Sequence, residues 1–283
     1  MTVTSSLPSQ NVIGFPVTAV PFEAQVQQVI RWAQGGLSKV VCVANVHMLV
    51  EASWDQSLAN ILHGADLVTP DGMPLVWMVR LLRKTQQERV AGMDLMQAVC
   101  QQASEQGLSV YFLGSEQRVL DQMRYRLQRE FPQLQVAGMD PLPMLSFPLT
   151  VDTEVVEKVN QSGASIVFVA LGCPKQEKWM AAYHNQIQAV MLGVGGVFPL
   201  YAGLQQRAPE FIRSSGLEWL YRLVQEPRRL WKRYSKTIPP FIWLATKQLL
   251  QRPVPQRPIF TAPESGVDII TKELATSGRP LRR

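Results

Sequence analysis

The residues best suited to chemistry stand where an apolar run stops at a turn. The clearest case is 65–74, Ala-Asp-Leu-Val-Thr-Pro-Asp-Gly-Met-Pro, in which the run ends at Pro70, presents the carboxylate of Asp71 and turns through Gly72 into the apolar helical pattern of 75–82. A carboxylate there suits two roles. As an acid or base it would work at a strand's carboxyl end, where open α/β sheets bind ligands because loops converge and helix N-termini offer free N–H groups. As an N-cap it would satisfy the first turn of the following helix, and this stretch taken alone favours the cap.

Asn45, Gly114-Ser115, Gly172-Cys173-Pro174 and Gly193-Val194-Gly195-Gly196 also follow strand-like runs directly, so positions far apart in the chain are expected to meet on one sheet edge. Glycine turns there suit a phosphate, because they bring backbone N–H groups close, and the edge is expected to bind a nucleotide or similar phosphorylated compound. G-x-G-x-x-G is broken by Phe198 at the third glycine position and G-x-x-x-x-G-K-[ST] is absent, which disfavours a nicotinamide cofactor and a P-loop. No cofactor is expected. His47, His63 and His184 stand singly without metal-ligand spacing, and no Asp-x-Asp offers to hold a divalent ion, so no metal site is expected either. A departing diphosphate would then depend on protein cations: Arg89, Lys175 and the C-terminal arginines.

The elements that must position these residues follow a regular rhythm. Apolar positions 22, 26, 29, 30 and 33 have helical spacing, 39–45 reads as a buried parallel strand, and helical and strand-like runs then alternate. Helices are expected at about 49–62, 73–82, 94–105, 116–130 and 153–160 and after Pro174. Strands are expected up to Thr69 and at 109–113, 134–138, 165–171 and 189–192. A proline-rich loop occupies 141–148, and 11–20 reads as a small β-element broken at 14–16. The fold class is therefore α/β: a mostly parallel, Rossmann-like sheet with helices on both faces. Beyond residue 204 strand signals stop and helices are expected at 228–235 and 241–250, separated by Pro239-Pro240, which makes a C-terminal helical appendage. The expected organisation is a disordered lead (1–10), an α/β catalytic domain (11–203), a basic helical membrane-associating appendage (204–251) and a disordered tail (252–283).

A chain of 283 residues with 46% hydrophobic and 18% charged residues has ample material for a sizeable core. Three widely spaced cysteines suggest neither a disulfide framework nor a zinc site. The first twenty residues lack an export signal, and no stretch approaches the ~20 apolar residues that span a bilayer. Between residues 204 and 258 there are eleven Lys or Arg against three Glu, net +8, which leaves the rest of the chain at −2 against a total of +6. The basic character thus belongs to one segment. Trp219, Tyr221, Trp231 and Trp243 interleave with it at spacings that suit a membrane-facing or core-packed helix better than a nucleic-acid surface, so no nucleic acid is expected.

Read together, Asn45, 65–74, Arg-Val-Ala-Gly-Met-Asp-Leu-Met at 89–96, Phe-Leu-Gly-Ser at 112–115, Leu-Gly-Cys-Pro-Lys-Gln-Glu-Lys-Trp at 171–179, Gly-Val-Gly-Gly-Val-Phe at 193–198 and the long Ala-Pro-Glu-Phe-Ile-Arg…Glu-Pro-Arg-Arg segment at 208–229 resemble the WecG/TagA/CpsF glycosyltransferases, glycosyltransferase family 26. The resemblance covers about 11–234. It implies a metal-independent, inverting transferase that moves N-acetylmannosamine, or its uronic acid, from a UDP-sugar to N-acetylglucosamine on a polyprenyl diphosphate. It reverses the preference at Asp71, which becomes the general base. It also implies that Asn45, Arg89 and Gln176 line the site and that C-terminal arginines, drawn from Arg222, Arg228, Arg229 and Arg233, approach the donor diphosphate. Gly72, Gly114, Ser115, Gly172, Lys175 and Gly195 complete the expected substrate-binding set. One position departs from the pattern: many relatives have threonine two residues before the asparagine, where this chain has Val43.

The expected partners are the UDP-sugar, the lipid-linked acceptor, an anionic membrane surface at the inner face of the cell membrane and, as an open possibility, a second copy of the chain. The competing class is a non-catalytic nucleotide- or lipid-binding module, in which Asp71 would only cap a helix.

Overall fold

The computed structural model describes residues 7–142 and 150–251, so most of the expected lead, most of the proline-rich loop and the tail lie outside the described residues. In chain order, a hairpin of β1 (Ser9–Val12) and β2 (Phe15–Thr18) precedes α1 (Phe22–Gln34), β3 (Lys39–Ala44), α2 (Val46–Trp54), α3 (Gln56–Gly64), β4 (Leu67–Pro70), α4 (Met73–Arg83) and α5 (Gly92–Glu105). Then come β5 (Ser109–Gly114), α6 (Gln117–Glu130), β6 (Gln135–Asp140), α7 (Thr153–Gln161), β7 (Ile166–Ala170), α8 (Lys175–Tyr183) and β8 (Val190–Gly193). Helices α9 (Val197–Tyr201), α10 (Glu210–Ser214), α11 (Glu218–Gln225) and α12 (Pro227–Leu250) follow. The described residues up to Leu249 form one compact unit.

The six longer-range strands form a parallel sheet in the order β4-β3-β8-β7-β5-β6. Alternate residues of each strand feed opposite faces, the two-residue period that a pleated strand imposes. Val41, Val43, Phe112, Phe168 and Leu192 pack with α1, α5, α6 and α9 on one side. Val40, Cys42, Tyr111, Val167 and Met191 pack with α2, α3, α4 and α8 on the other. Covering both faces is what allows these strands to be almost continuously apolar.

Three local differences from expectation have physical causes. β1 begins at Ser9, inside the stretch expected to be a polar lead, because the hairpin closes through Gly14 at φ +104°, whose N–H donates to Asn11 Oδ1 at 2.9 Å. The helix expected at 49–62 is two helices: Asp55 breaks it and accepts the Ser57 and Leu58 N–H groups at 2.9 and 3.2 Å, which caps α3. Conversely, Pro239-Pro240 do not separate two helices but lie inside α12. Leu230, Thr237, Phe241 and Ala245 are buried on one side of α12 and anchor it before and after the prolines. The carbonyls that lose their i+4 donors belong to Ser235 and Lys236, both exposed, so water can replace the missing bonds. Phe241 and Ala245 join the sheet-side core, and Gln248 bonds the hairpin at the Ile13 N–H (2.8 Å) and the Asn11 carbonyl (2.9 Å).

Candidate active site

Asp71 follows β4, and its N–H extends the strand pairing by donating to the Ala44 carbonyl at 2.8 Å. It does not cap α4: Gly72 holds the cap position and no side chain bonds the first turn. Its carboxylate instead lies close enough to the Gly92 N–H, at the start of α5, for that dipole to favour the charged form. Burial pushes Asp71 up to about 6, against Arg89, which lowers it; Glu218 raises it, and Arg222 and the Gly92 N–H lower it. The residue is therefore a carboxylate whose proton affinity has been moved towards neutrality, as general-base work requires.

Local structure explains how its neighbours arrive. The Val90 N–H donates to the Pro70 carbonyl at 2.9 Å, which lays the segment before α5 along the end of β4 and brings Arg89 beside Asp71. Arg89 Nη1 meets Glu218 Oε2 at 2.8 Å, and Glu218 Oε1 lies 3.7 Å from Arg222 Nε one helical turn along α11. Asn45 ends β3, the neighbouring strand, and its Oδ1 caps α2 by accepting the Met48 N–H at 3.2 Å. A Cβ on Gly72 would touch Asn45 Cβ at 3.9 Å, so Asn45 adjoins the Asp71 turn. Val43, the departure from the family pattern, is buried opposite Thr69 in the β3–β4 register.

Gln176 is 3% exposed in the first turn of α8, beneath the loops after β7 and β8 rather than projecting from them. Its Oε1 accepts the Gly172 N–H at 3.1 Å and its Nε2 donates to Glu177 Oε1 at 2.8 Å. Glycine at 195 is required twice over: φ is +55°, and a Cβ would stand 3.2 Å from Gln176 Oε1. Gly114, at φ +104°, has the Ala170 carbonyl oxygen 2.6 Å from where a Cβ would be, and the Ser115 N–H donates to the same oxygen at 3.2 Å. These contacts join the ends of β5 and β7. After β5 the chain moves outward to β6, and after β7 it moves the other way to β8, so the sheet reverses its winding between them. Doubly wound folds bind ligands in the crevice at such a point. Lys175 is exposed at the start of α8.

Arginines link this crevice to Asp71. Arg233 on α12 is held below its ordinary value first by burial, and its field-bearing neighbours are Tyr234, Cys173, Arg229 and Arg222. Arg222 in turn acts on Asp71. A basic series thus runs from the end of β4 to the loop after β7, although Arg229 is also paired with Glu226. Arg228 is exposed and is not among the groups acting on Arg233 or Asp71. Three like charges in mutual reach favour an anion between them.

Sequence reasoning passed over Glu218, Glu177 and Gly92. Glu177 is fully buried and pushed up to about 7, first by burial, with hydrogen bonds from Gln176 and Cys173 opposing. Both glutamates stood inside motifs already singled out, 171–179 and 208–229, but only their contacts reveal what they touch.

An open parallel sheet with a raised carboxylate at its carboxyl edge and an arginine series leading to the switch-point crevice has the groups that proton abstraction and anion binding call for. The model of the glycosyl transferase WecG/TagA/CpsF family matches residues 10–255, and the chain belongs to that family: it is a glycosyltransferase. Its relatives include three proteins named N-acetylglucosaminyldiphosphoundecaprenol N-acetyl-beta-D-mannosaminyltransferase. That of Bacillus spizizenii is 33% identical over 73% of this chain and 78% of its own length. That of Staphylococcus aureus is 29% identical over 73% and 79%, and that of Bacillus subtilis 29% over 70% and 75%.

Proposed function

We propose that this chain transfers N-acetylmannosamine, or the corresponding uronic acid, from a UDP-sugar to N-acetylglucosamine carried on a polyprenyl diphosphate, with inversion at the anomeric carbon. The observation that carries the reading is Asp71, a partly enclosed carboxylate raised to about 6 and flanked by Arg89 and Arg222. The names of the relatives supply the sugar and the acceptor.

In the reaction the acceptor hydroxyl oxygen attacks the anomeric carbon from the face opposite UDP. Asp71 takes the hydroxyl proton while the bond from that carbon to the β-phosphate oxygen breaks, and UDP leaves with the electron pair. Arg89, Arg222 and Arg233 carry the charge that grows on the diphosphate. In this reading the nucleoside end takes the switch-point crevice between Gly114-Ser115 and Gly172-Cys173-Pro174, where doubly wound sheets bind their ligands. Loss of UDP from UDP-N-acetylmannosamine only when a short-chain lipid-diphosphate acceptor is present is the expected result; binding of the donor without acceptor-dependent release would favour a binding module.

Because arginines serve the diphosphate in this reading, EDTA is expected to leave the rate unchanged. Loss of activity with EDTA and its return with Mg²⁺ or Mn²⁺ would overturn that part of the mechanism. Among the described residues no group of three or more His, Cys, Asp or Glu is placed to hold a metal ion.

The acceptor's chemistry calls for a membrane surface, and α10 to α12 offer one. Phe211, Val224, Trp231, Ile242 and Trp243 are exposed, with Lys232, Lys236 and Lys247 interleaved. Apolar and aromatic residues alternating with lysine suit the headgroup region, where each basic residue near an anionic surface contributes about 1 kcal/mol. No helix among the described residues is long and apolar enough to cross a membrane. The reading is therefore peripheral attachment at the inner face of the cell membrane.

A further inference from the structure

Glu218 stands between two parts of the chain that are 129 residues apart in sequence. One carboxylate oxygen meets Arg89, on the segment leading into α5, at 2.8 Å; the other faces Arg222, on its own helix, at 3.7 Å. The Arg89 and Glu218 side chains are only 14% and 23% exposed, so this pair is better shielded from solvent than an ordinary surface ion pair. With Asp71 the group contains two carboxylates and two guanidiniums of balanced charge, supplied by β4's end, the segment before α5, and α11. A Cβ on Gly216, just before α11, would lie 3.1 Å from Trp77 Cζ2 and 3.2 Å from Met73 Cβ, so the turn into α11 rests closely on α4, the helix that Asp71 precedes.

We propose that Glu218 is a positioning residue of this active site: its two oxygens hold Arg89 and Arg222 together beside Asp71 and fasten α11 to the carboxyl edge of the sheet. Without that carboxylate, two guanidiniums would face each other with Asp71 as their nearest shared counter-charge, and like-charge repulsion would favour the departure of α11. The effect on Asp71 has a definite sign. The groups facing Asp71 are Arg89, Glu218, Arg222 and the Gly92 N–H. Removing the one negative neighbour lowers the proton affinity of Asp71; departure of α11 also takes away Arg222, which by itself would raise it, but the relief of burial, the largest of the causes, outweighs that loss and keeps the sign downward. The active-site role rests on the function proposed above; the fastening does not.

The test compares the full chain with its Glu218→Gln variant and with Glu210→Gln, a control at an exposed acid of α10. Hydrogen exchange across Glu218–Gln225 is expected to quicken about tenfold in Glu218→Gln, equivalent to ~1.4 kcal/mol of local opening, and to stay at the wild-type rate in the control. Titration of the Asp71 carboxyl carbon by NMR is expected to give a lower midpoint in Glu218→Gln than the wild-type value of about 6. Wild-type exchange rates over α11, or an unmoved Asp71 midpoint, would overturn the proposal. A wild-type chain that transfers no sugar would overturn the proposed function instead, and the exchange rates would still decide the fastening.

Discussion

Replacing Asp71 by asparagine is expected to lower kcat by about 10²- to 10⁴-fold, the range a positioned base contributes, while UDP binding persists. Asn has the same shape, but it cannot take the acceptor's proton. Because Asp71 is raised to about 6 from 3.8, wild-type activity is expected to rise with pH through that region as the carboxylate forms. Stability should move the other way. A group that binds its proton more tightly folded than unfolded stabilises the fold below about pH 4, and that contribution is lost as pH rises through about 6. The Asn variant escapes this loss, so its Tm should exceed wild type at pH 8, with the gap closing as pH falls towards 4. Near-normal turnover in the variant would remove Asp71 from the chemistry; a lower Tm at pH 8 would show that its charge stabilises rather than strains the fold.

Ending the chain at Gly203 is expected to abolish nearly all transfer, by about 10²-fold or more, since it removes Glu218, Arg222 and Arg233 together. It also uncovers the core beneath Phe241 and Ala245 and releases the hairpin from Gln248, so folding must be checked by circular dichroism. A gentler change separates the two duties of these helices. In the full chain, Trp231 and Trp243 are 67% and 62% exposed, and replacing both by serine leaves the arginines in place. That variant is expected to lose sedimentation with anionic vesicles yet keep transfer to a water-soluble, short-chain acceptor. Full vesicle binding by the serine variant would remove these tryptophans from the membrane contact, and full activity in the shortened chain would remove the appendage from the active site.

The α/β rhythm was legible because buried parallel strands and amphipathic helices leave different periods in sequence, and 39–44, 109–114 and 166–170 could hardly be read otherwise. The helix breaks were less legible. Asp55 reads as one polar residue in an apolar run, and only its two backbone bonds reveal a new start. Pro239-Pro240 read as a stop, a local rule that lost to burial of Thr237, Phe241 and Ala245 on either side. At the site, residue types and motif resemblance marked Asp71, Arg89 and the glycine turns in advance. Glu218 and Glu177 lay in the same motifs without a role, because a charge acquires meaning from what faces it.

By itself, the sequence determined the class of fold, the strand ends that meet on one sheet edge and the single basic segment, since these depend on local period, turn residues and composition. Only the tertiary structure decided what faces each acid there. Gly72 took the cap position and left Asp71 free, while burial and four neighbours from two distant segments, the stretch entering α5 and α11, shift its proton affinity. Burial and long-range fields are sums over contacts between distant parts of the chain, and those sums exist only once the chain has folded.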